Sequence, residues 1–188
     1  RAHSLDESYL AIQGPPGTGK TYSSAHMICA IIKEHRDAQT RGEKPQRVGV
    51  MGPSNAVVDH LLVSVAKTWN ELYPDEAPLQ VLRKRGRSHT DASLVRLGEK
   101  FSEHDATFAF NADNAAVGKW TVGRSRDYKG VQFDIIGGTS WLFAHPGFAE
   151  PITAVTETEK PLSHLFVDEA GHLTMAALLP SVSAADHI

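Results

Sequence analysis

The sequence has a single cysteine, few aromatic residues and no long apolar run. Cys29 has no second cysteine to pair with, and Phe, Tyr and Trp together make up 7% of the 188 residues. No stretch approaches the roughly 20 apolar residues that a transmembrane helix needs, and no secretory signal pattern is present. These absences exclude an internal disulfide and a membrane partner. They predict a cytoplasmic protein in which Cys29 belongs to the core.

Charge of one sign is also lacking, since 19 basic and 22 acidic residues leave a net charge of −3. This balance argues against a protein that coats nucleic acid through overall positive charge. Ten histidines are present, but none stands at a recognised metal-ligand spacing, and no serine has the context of a nucleophile elbow. A hydrophobic content of 41% suits one α/β domain with a sizeable core.

The most informative segment covers residues 14–21 and reads Gly-Pro-Pro-Gly-Thr-Gly-Lys-Thr, a complete phosphate loop of the form G-x-x-x-x-G-K-[ST]. The pattern predicts an apolar strand before it, at residues 9–13, and a buried helix after it, at residues 22–36. In such a unit the backbone N–H groups at the helix N-terminus point at a bound phosphate. The segment therefore predicts a nucleotide-binding protein. The predicted nucleotide-binding residues are Gly14, Pro15, Pro16, Gly17, Thr18, Gly19, Lys20 and Thr21.

An acidic pair after a second apolar strand supplies the rest of the expected chemistry. Residues 164–167 predict a strand that runs directly into Asp168 and Glu169. Lys20 is expected to neutralise the β- and γ-phosphates, and Thr21 and Asp168 to hold Mg²⁺, Asp168 directly or through water. Glu169 is expected to polarise the attacking water. Lys20, Asp168 and Glu169 are thus the predicted catalytic residues, with ATP and Mg²⁺ as cofactors.

This phosphate loop is shared by AAA+ remodelling ATPases and superfamily 1 helicases, so a second feature must discriminate between them. Asp168 lies 148 positions after Lys20, a separation similar to that of the helicases and longer than in AAA+ domains. Between them, a predicted strand at Val48–Met51 precedes a predicted amphipathic helix that starts at Ser54 or Asn55 and ends near residue 73. Residues 52–59, Gly-Pro-Ser-Asn-Ala-Val-Val-Asp, resemble motif Ia of superfamily 1B helicases.

A third predicted strand, at residues 131–136, extends the resemblance. It ends in Gly-Gly-Thr-Ser-Trp-Leu-Phe-Ala, similar to the small-residue loop with which superfamily 1 proteins contact nucleic acid. This motif, together with Leu-Phe-Val-Asp-Glu-Ala-Gly at residues 165–171, is similar to the helicase part of certain bacterial proteins. In those proteins a RecB-like nuclease domain precedes a superfamily 1 helicase. The resemblance implies single-stranded DNA or RNA as a partner and a fused or associated nuclease. The nucleic-acid contacts that it implies are Ser54, Asn55, Gly138 and Thr139.

Two features depart from the simplest pattern. The family often carries a glutamine that senses the γ-phosphate two positions after the Asp-Glu-Ala run, where this chain has His172; an ordinary polar residue there is an equal alternative. Residues 81–130 hold ten basic and six acidic residues, with a peak at Arg-Lys-Arg-Gly-Arg. We interpret about 75–130 as an accessory basic insert, which either contacts phosphates or forms a solvated loop.

The order of predicted elements indicates an α/β fold: a P-loop NTPase with a RecA-like parallel sheet and helices on both faces. Ligand loops should then lie at the carboxyl ends of the strands, along one edge. We interpret residues 1–188 as a fragment of the first motor domain of a superfamily 1B helicase, truncated before the second motor domain. ATP hydrolysis would drive translocation on, and unwinding of, single-stranded nucleic acid. The alternatives are an AAA+-type ATPase and a regulatory P-loop ATPase without helicase activity.

The resemblance also makes a statement about the isolated chain. In the family the second motor domain supplies arginines to the γ-phosphate, and such an arginine contributes about 10³–10⁵ in rate. The fragment alone is therefore expected to bind ATP weakly and to hydrolyse it poorly. The sequence does not distinguish DNA from RNA or give the direction of movement, and the adenine contacts are expected outside the chain.

Overall fold

The computed structural model describes residues 9–15, 17–77, 79–83, 133–144 and 160–188. These residues form one parallel sheet with helices packed on it, which confirms the predicted α/β class. The strands are β1 (Val48–Met51), β2 (Val81–Arg83), β3 (Ile135–Gly138), β4 (Leu162–Val167) and β5 (Ala185–His187). The helices are α1 (Lys20–Thr40), α2 (Asn55–Leu72), α3 (Ser140–Phe143) and α4 (Met175–Val182), with a 3-10 turn at Ala170–His172.

The sheet has the strand order β2-β3-β1-β4-β5, and every pair of neighbours is parallel. β1 lies at the centre, where Val48 is in register with Ile135 of β3 and His164 of β4. All four residues of β1 and of β3 are buried. Strands covered on both faces read as continuous apolar runs instead of alternating ones, as these two do.

Two apolar clusters fill the two faces of the sheet. On one face α1 and α2 pack together over β1, and the cluster includes Ile28, Leu61 and Trp69. On the other face α3 and the residues before β5 cover the sheet, and the cluster includes Phe143 and Leu165. Alternate residues of β1 and β3 contribute to opposite clusters, as the two-residue period of a strand requires. The sheet therefore sits between two helical layers.

A glycine in the central strand sets how closely one layer approaches the sheet. A Cβ at Gly49 would lie 2.5 Å from Leu162 Cδ1 and 2.8 Å from Leu165 Cδ1, and the Phe143 ring would be 3.2 Å away. The first two distances are shorter than any normal carbon–carbon contact, and the third is a tight one. The absence of a side chain at Gly49 thus lets the β4 leucines cover β1.

A half-buried ion pair joins the amino end of β3 to α1. Arg36 donates from Nε to Asp134 Oδ1 over 3.1 Å and from Nη2 to Asp134 Oδ2 over 2.7 Å. Asp134 Oδ2 also accepts the Gln80 N–H at 2.7 Å, and the guanidinium lies 4.8 Å from the centre of the Trp69 ring. The pair therefore fixes α1, α2 and the approach to β2 at the edge opposite the carboxyl ends of the strands.

The strand predicted at residues 9–13 is wrong. These residues form no strand, and Tyr9 and Ile12 are exposed. Among the described residues, they make one backbone bond beside the sheet, from the Leu10 N–H to the carbonyl of Ile188, the residue after β5, at 2.9 Å. An apolar segment becomes a strand only where a neighbour offers a ladder of hydrogen bonds, and a single bond beside β5 is not a ladder.

Other boundaries also shift. α1 extends four residues beyond the predicted end at residue 36, and β4 begins two residues earlier than predicted. β3 includes Gly137 and Gly138, which we assigned to the following loop, because both are buried under helices; a Cβ at Gly137 would lie 2.6 Å from Leu62 Cδ1. Most of the predicted basic insert lies outside the described residues, although β2, within its range, pairs with β3. In the described part of the chain, no helix has both the length and the apolarity to span a bilayer.

Candidate nucleotide and nucleic-acid site

The phosphate loop has the backbone conformation that its glycines permit. Gly17 and Gly19 have φ angles of 81° and 78°, in the left-handed region that residues with a Cβ seldom adopt. Nothing lies within 4 Å of the position that a Cβ would take at either residue, so the requirement is conformational and not one of space. Pro16 lies outside the described residues. The two glycines thus shape the predicted phosphate cradle.

The Lys20 ammonium lies over the same loop. Its Nζ donates to the Gly14 carbonyl over 2.7 Å and to the Pro15 carbonyl over 2.9 Å. The Thr18 hydroxyl also donates to the Pro15 carbonyl, over 2.7 Å. These bonds close the loop on itself and hold a positive charge at its centre, where the motif predicts the β- and γ-phosphates.

The N-terminus of α1 is left open to a ligand. α1 begins at Lys20 with Gly19 as N-cap, without a side-chain capping bond and without an acidic residue in its first turn. By contrast, Ser54 caps α2 and Thr174 caps α4 through their hydroxyl oxygens. The first N–H groups of a helix need an acceptor and carry partial positive charge. At α1, but not at α2 or α4, that acceptor must come from outside the helix, and a phosphate fits.

Asp168 and Glu169 follow β4 directly, as predicted. The Asp168 N–H donates to the Met51 carbonyl over 2.8 Å, and Asp168 Oδ1 accepts the Glu169 N–H at 3.0 Å. Glu169 has φ 51° and ψ 40°, and among the described non-glycine residues it alone has a positive φ. Such a conformation costs of order 1 kcal/mol or more and is concentrated at functional sites. The chain therefore turns sharply at the predicted general base.

The phosphate loop and the acidic pair lie at the same edge of the sheet. The Leu10 bond to Ile188 places the segment before the loop beside β5, and β5 pairs with β4. Two strand spacings of about 4.8 Å then separate this segment from β4, roughly 10 Å in all. That gap suits a phosphate group with a metal ion between the loop and Asp168.

The residues predicted to contact nucleic acid continue along this edge, where β1 and β3 end. Ser54 is exposed, and its Oγ accepts the Val57 N–H at 3.3 Å; Asn55 opens α2 and is half-buried. Thr139 precedes α3 and is half-buried, whereas Gly138 is buried and a Cβ there would overlap Leu142. Gly138 thus has a packing role, and contact of these four residues with nucleic acid stays a prediction.

Two exposed aromatic residues near this edge were not singled out by the sequence reasoning. Tyr22 follows the phosphate loop, is 65% exposed, and contacts His26 with ring centres 4.0 Å apart and ring planes tilted by 41°. Trp141 lies in α3 and is 83% exposed. The sequence contains only a weak signal that these two aromatic side chains are exposed. Leu142 and Phe143 mark the buried side of α3, and Trp141 falls outside it.

The comparison with protein families supplies the observation that decides the family. Residues 2–122 match the family AAA_11, whose description is AAA domain, and this match covers more than half of the chain. The chain belongs to this AAA domain family. The match includes the phosphate loop, β1 and α2, and it ends before Asp168 and Glu169, so the roles of these two residues stay a prediction from the sequence.

The AAA domain resembles several curated helicases. It is 34% identical to ATP-dependent helicase NAM7 of Saccharomyces cerevisiae over 90 residues, 48% of this chain and 7% of that protein. It is 32% identical to human probable helicase senataxin over 109 residues, 55% of this chain and 4% of that protein. Regulator of nonsense transcripts 1 homolog of Drosophila melanogaster is 38% identical over 66 residues, 35% of this chain and 5% of that protein. No solved structure matches significantly.

These relatives bear on the choice between the two groups that share the phosphate loop. The similarity to the named helicases favours the superfamily 1 helicase group over AAA+ remodelling ATPases, as the spacing of the motifs predicted. The chain spans 4–7% of the length of these relatives, and the RecB-like nuclease fusion that we expected does not appear among them.

His172 and Cys29, the two remaining residues discussed from the sequence, have separate positions. His172 ends the 3-10 turn that follows Glu169, is exposed, and donates its backbone N–H to the Glu169 carbonyl over 2.9 Å. Cys29 is fully buried in α1, as predicted, and its Sγ donates to the Val65 carbonyl over 3.4 Å. Burial raises the pKa of the Cys29 thiol to about 12, so it is an unreactive core residue.

Proposed function

We propose that the protein is an ATP-driven motor, and that this chain is the first RecA-like motor domain, which couples Mg-ATP hydrolysis to translocation along single-stranded DNA or RNA. One observation carries the proposal. The phosphate loop and Asp168 lie at the same sheet edge as the Ser54 cap of α2, and the Asp168 N–H bonds to Met51, three residues before Ser54. A nucleotide and a strand bound there would contact adjacent parts of one edge.

The phosphate loop would bind the triphosphate through backbone N–H groups and Lys20. Phosphate oxygens would replace the Gly14 and Pro15 carbonyls as acceptors for Lys20 Nζ. The uncapped N-terminus of α1 supplies further donors. The ammonium then lies where negative charge develops during phosphoryl transfer, and this stabilises the transition state more than the ground state.

The oxygen atoms on either side of the gap between the phosphate loop and Asp168 are suitable ligands for Mg²⁺. The Thr21 hydroxyl and the Asp168 carboxylate are oxygen ligands, and Mg²⁺ is usually bound by one or two protein carboxylates together with substrate phosphates and water. Asp168 Oδ1 is oriented by the Glu169 N–H, which limits rotation of the carboxylate. When bound with ATP, Mg²⁺ would neutralise charge on the phosphates.

Glu169 would act as the general base. A carboxylate can accept a proton from a water molecule that attacks the γ-phosphate in line. The left-handed conformation of Glu169 turns the backbone sharply just after Asp168. Such a turn suits two neighbouring carboxylates with different tasks. The backbone N–H of His172 donates to the Glu169 carbonyl, and His172 would respond to movement of this turn.

Several finer statements rest on the resemblance. We propose single-stranded nucleic acid contacts at Ser54, Asn55, Gly138 and Thr139, the last two mainly through the backbone because Gly138 is buried. We extend the motor-domain assignment over residues 1–188, with an accessory basic insert at about 75–130 that binds phosphates, and we retain a fused or associated nuclease as a proposal. The names of the relatives, which include an ATP-dependent helicase, support the motor.

Hydrolysis of ATP by the full-length protein, with and without single-stranded DNA or RNA, tests the proposal. We expect one nucleic acid to stimulate hydrolysis strongly, and Glu169→Gln to abolish the stimulated rate while leaving ATP binding intact. Glu43→Gln, a change of an exposed glutamate beyond the end of α1, is the matched control and should retain wild-type stimulation. If neither nucleic acid changes the rate of ATP hydrolysis, the result would favour a regulatory or AAA+-type ATPase.

A further inference from the structure

Three histidine side chains from three different elements lie close together, outside the site described above. The His35 ring of α1 and the His164 ring of β4 have centres 6.0 Å apart, and the His164 and His187 rings, from neighbouring strands, have centres 4.7 Å apart. His35 is buried and the other two are half-buried. We call these three residues the histidine cluster. In the part of the chain that the structure describes, no group of three or more His, Cys, Asp or Glu side chains is arranged to hold a metal ion.

A single hydroxyl group indicates which ring nitrogens carry hydrogen. Ser163 Oγ donates to the Arg47 carbonyl over 3.1 Å. The same oxygen therefore accepts from His164 Nδ1, at 3.1 Å, and from His35 Nε2, at 3.4 Å. A second proton on either ring would go to the other nitrogen, His164 Nε2 or His35 Nδ1, and both atoms are buried from solvent. Acidification would thus bring positive charge to atoms that water does not reach, and buried charge is costly.

The two strand histidines oppose each other directly. His164 and His187 are partners in the parallel ladder of β4 and β5, where the other registered pair is Leu162 with Ala185. Like charges at opposed positions destabilise a strand pair. β5 has only three residues and lies at the edge of the described sheet. Protonation of both imidazoles would therefore weaken a strand pair that is already short.

The charged side chains of the surrounding elements are engaged in other contacts. They are Lys33, Glu34, Arg36 and Asp37 of α1, Lys44 and Arg47 before β1, Lys160 before β4 and Asp186 of β5. Lys160 Nζ donates to the Ala185 carbonyl over 2.9 Å and lies 4.0 Å from Asp186 Oδ1. Asp186 is exposed, and strand alternation turns its side chain away from that of His187. The Arg47 guanidinium lies 4.7 Å from the centre of the Phe133 ring. The ring contacts within the cluster join imidazole to imidazole, so acidification adds charge of one sign there.

The histidine cluster is connected to the phosphate loop in two ways. The carbonyl of Ile188, the residue after β5, accepts the Leu10 N–H at 2.9 Å, and Leu10 lies in the segment that leads directly into the loop. α1, which carries His35, begins at Lys20 of the same loop. Two of the three histidines therefore belong to elements that hold the loop in place.

We propose that the histidine cluster is a proton-sensitive latch, in which acidification separates β5 from β4 and releases the segment that anchors the phosphate loop. An ordinary imidazole changes charge near pH 6.5. In the open state the rings are hydrated and apart, so that state binds more protons than the closed one. The closed pairing is therefore favoured at neutral pH and weakens progressively as pH falls below about 6.5. The effect on ATP rests on the proposed function, whereas the opening of β5 does not.

Hydrogen exchange of the full-length protein measures the latch without using ATP. Mass spectrometry would follow peptides that cover residues 184–188 and 9–13 at pH 7.5 and pH 5.5, with each rate divided by that of the unstructured peptide at the same pH. His187→Gln and His164→Gln remove the charge change and keep a polar side chain. His60→Gln, at an exposed histidine of α2, is the matched control.

We expect the corrected exchange of both wild-type peptides to rise about 2- to 5-fold between pH 7.5 and pH 5.5, the size of one opposed like-charge pair. His60→Gln should behave as wild type, and His187→Gln should stay protected at both pH values. If His164→Gln is open at both, His187→Gln at the half-buried edge decides the result. Affinity for a fluorescent ATP analogue should also fall further in wild type than in His187→Gln, and this comparison cancels protonation of the nucleotide itself.

The failures separate the latch from the proposed function. Corrected exchange that is equal at both pH values in wild type, or that rises equally in His187→Gln, would overturn the latch. Opening of β5 in acid with the same affinity change in wild type and His187→Gln would show that β5 does not anchor the phosphate loop. Absence of ATP-analogue binding at pH 7.5 would overturn the proposed function, and the exchange result would still decide whether the cluster opens β5.

Discussion

The Asp168 N–H donates to the Met51 carbonyl over 2.8 Å, one position beyond the last paired residues of β1 and β4, Met51 and Val167. The strand that leads to the predicted magnesium ligand and the strand that leads to Ser54 therefore leave the sheet at the same level. A rearrangement of the turn at Asp168 during hydrolysis would act directly on the end of β1. This bond directly links the proposed magnesium ligand to the strand that leads to the proposed nucleic-acid contact.

Lys20→Ala should abolish ATP hydrolysis and weaken ATP binding without unfolding the chain. The reason is that, among the described residues, Lys20 Nζ bonds to loop carbonyls alone, at Gly14 and Pro15, so its loss removes charge from the cradle and little packing. Removing such a preorganised charge is expected to cost about 10²-fold or more in turnover. Titration with a fluorescent ATP analogue and a hydrolysis assay measure both effects. Lys67→Ala, at an exposed lysine of α2, should match wild type; equal loss in both variants would contradict the assignment.

Substitutions at Glu169 should separate activity from stability. Glu169→Gln should lower hydrolysis by about 10²–10⁴-fold because an amide cannot accept the proton. Glu169→Gly should be as inactive as Glu169→Gln. Its free energy of unfolding should nevertheless exceed that of the Gln variant by about 1 kcal/mol, because a φ of 51° is unstrained for glycine. Urea denaturation of the two variants measures the difference. A Gly variant less stable than the Gln variant would show that the turn is not strained.

Gly49→Ala should destabilise the fold by about 1–3 kcal/mol, the usual cost of overpacking a core. The added methyl would lie 2.5 Å from Leu162 Cδ1 in the middle of the sheet. Gly171→Ala is the matched control, because Gly171 has open space around it and no positive φ. Thermal unfolding of both variants provides the measurement. Equal melting temperatures would mean that β4 can move away from β1 at little cost.

The Cys29 thiol should make stability depend on pH in the alkaline range. Burial raises its folded-state pKa from 9.0 to about 12, so an unfolded chain ionises this thiol near pH 9 while the folded chain keeps it neutral. The unfolded state therefore binds fewer protons between these values, and folding stability falls as pH rises, by at most about 1.4 kcal/mol per pH unit. Below pH 9 the thiol should have no effect.

Denaturation of wild type and Cys29→Ala between pH 8 and pH 11 isolates this contribution, since every other titrating group is shared. Wild type should lose stability faster than the variant above pH 9. Parallel curves would show that Cys29 ionises alike in both states. Slow alkylation of the native thiol at pH 8, accelerated by unfolding, is the independent check.

The sequence predicted the elements whose signal is local and long. The phosphate loop, α1, α2 and the apolar run into Asp168 all carry motif or helical-period information over many residues. Parallel order then places their loops at one edge, without knowledge of the neighbours. For this reason the candidate nucleotide site could be assembled almost entirely from the chain itself.

What could not be predicted depends on contacts between distant residues. Residues 9–13 have the composition of a strand but make one bond to Ile188, and β2 has only three residues, too few for a period. The left-handed turn at Glu169 has no signal because glutamate rarely adopts it. The exposure of Trp141 follows from the packing of Leu142 under Gly138, which only the fold reveals.

Movement along a strand tests the central claim most directly, because hydrolysis alone does not distinguish a motor from a regulatory ATPase. The full-length protein would be mixed with single-stranded DNA or RNA that carries streptavidin on biotin at one end or the other. The account predicts ATP-dependent displacement of streptavidin from one end only, absent in Glu169→Gln. Nucleic-acid-stimulated hydrolysis with no displacement from either end would contradict it.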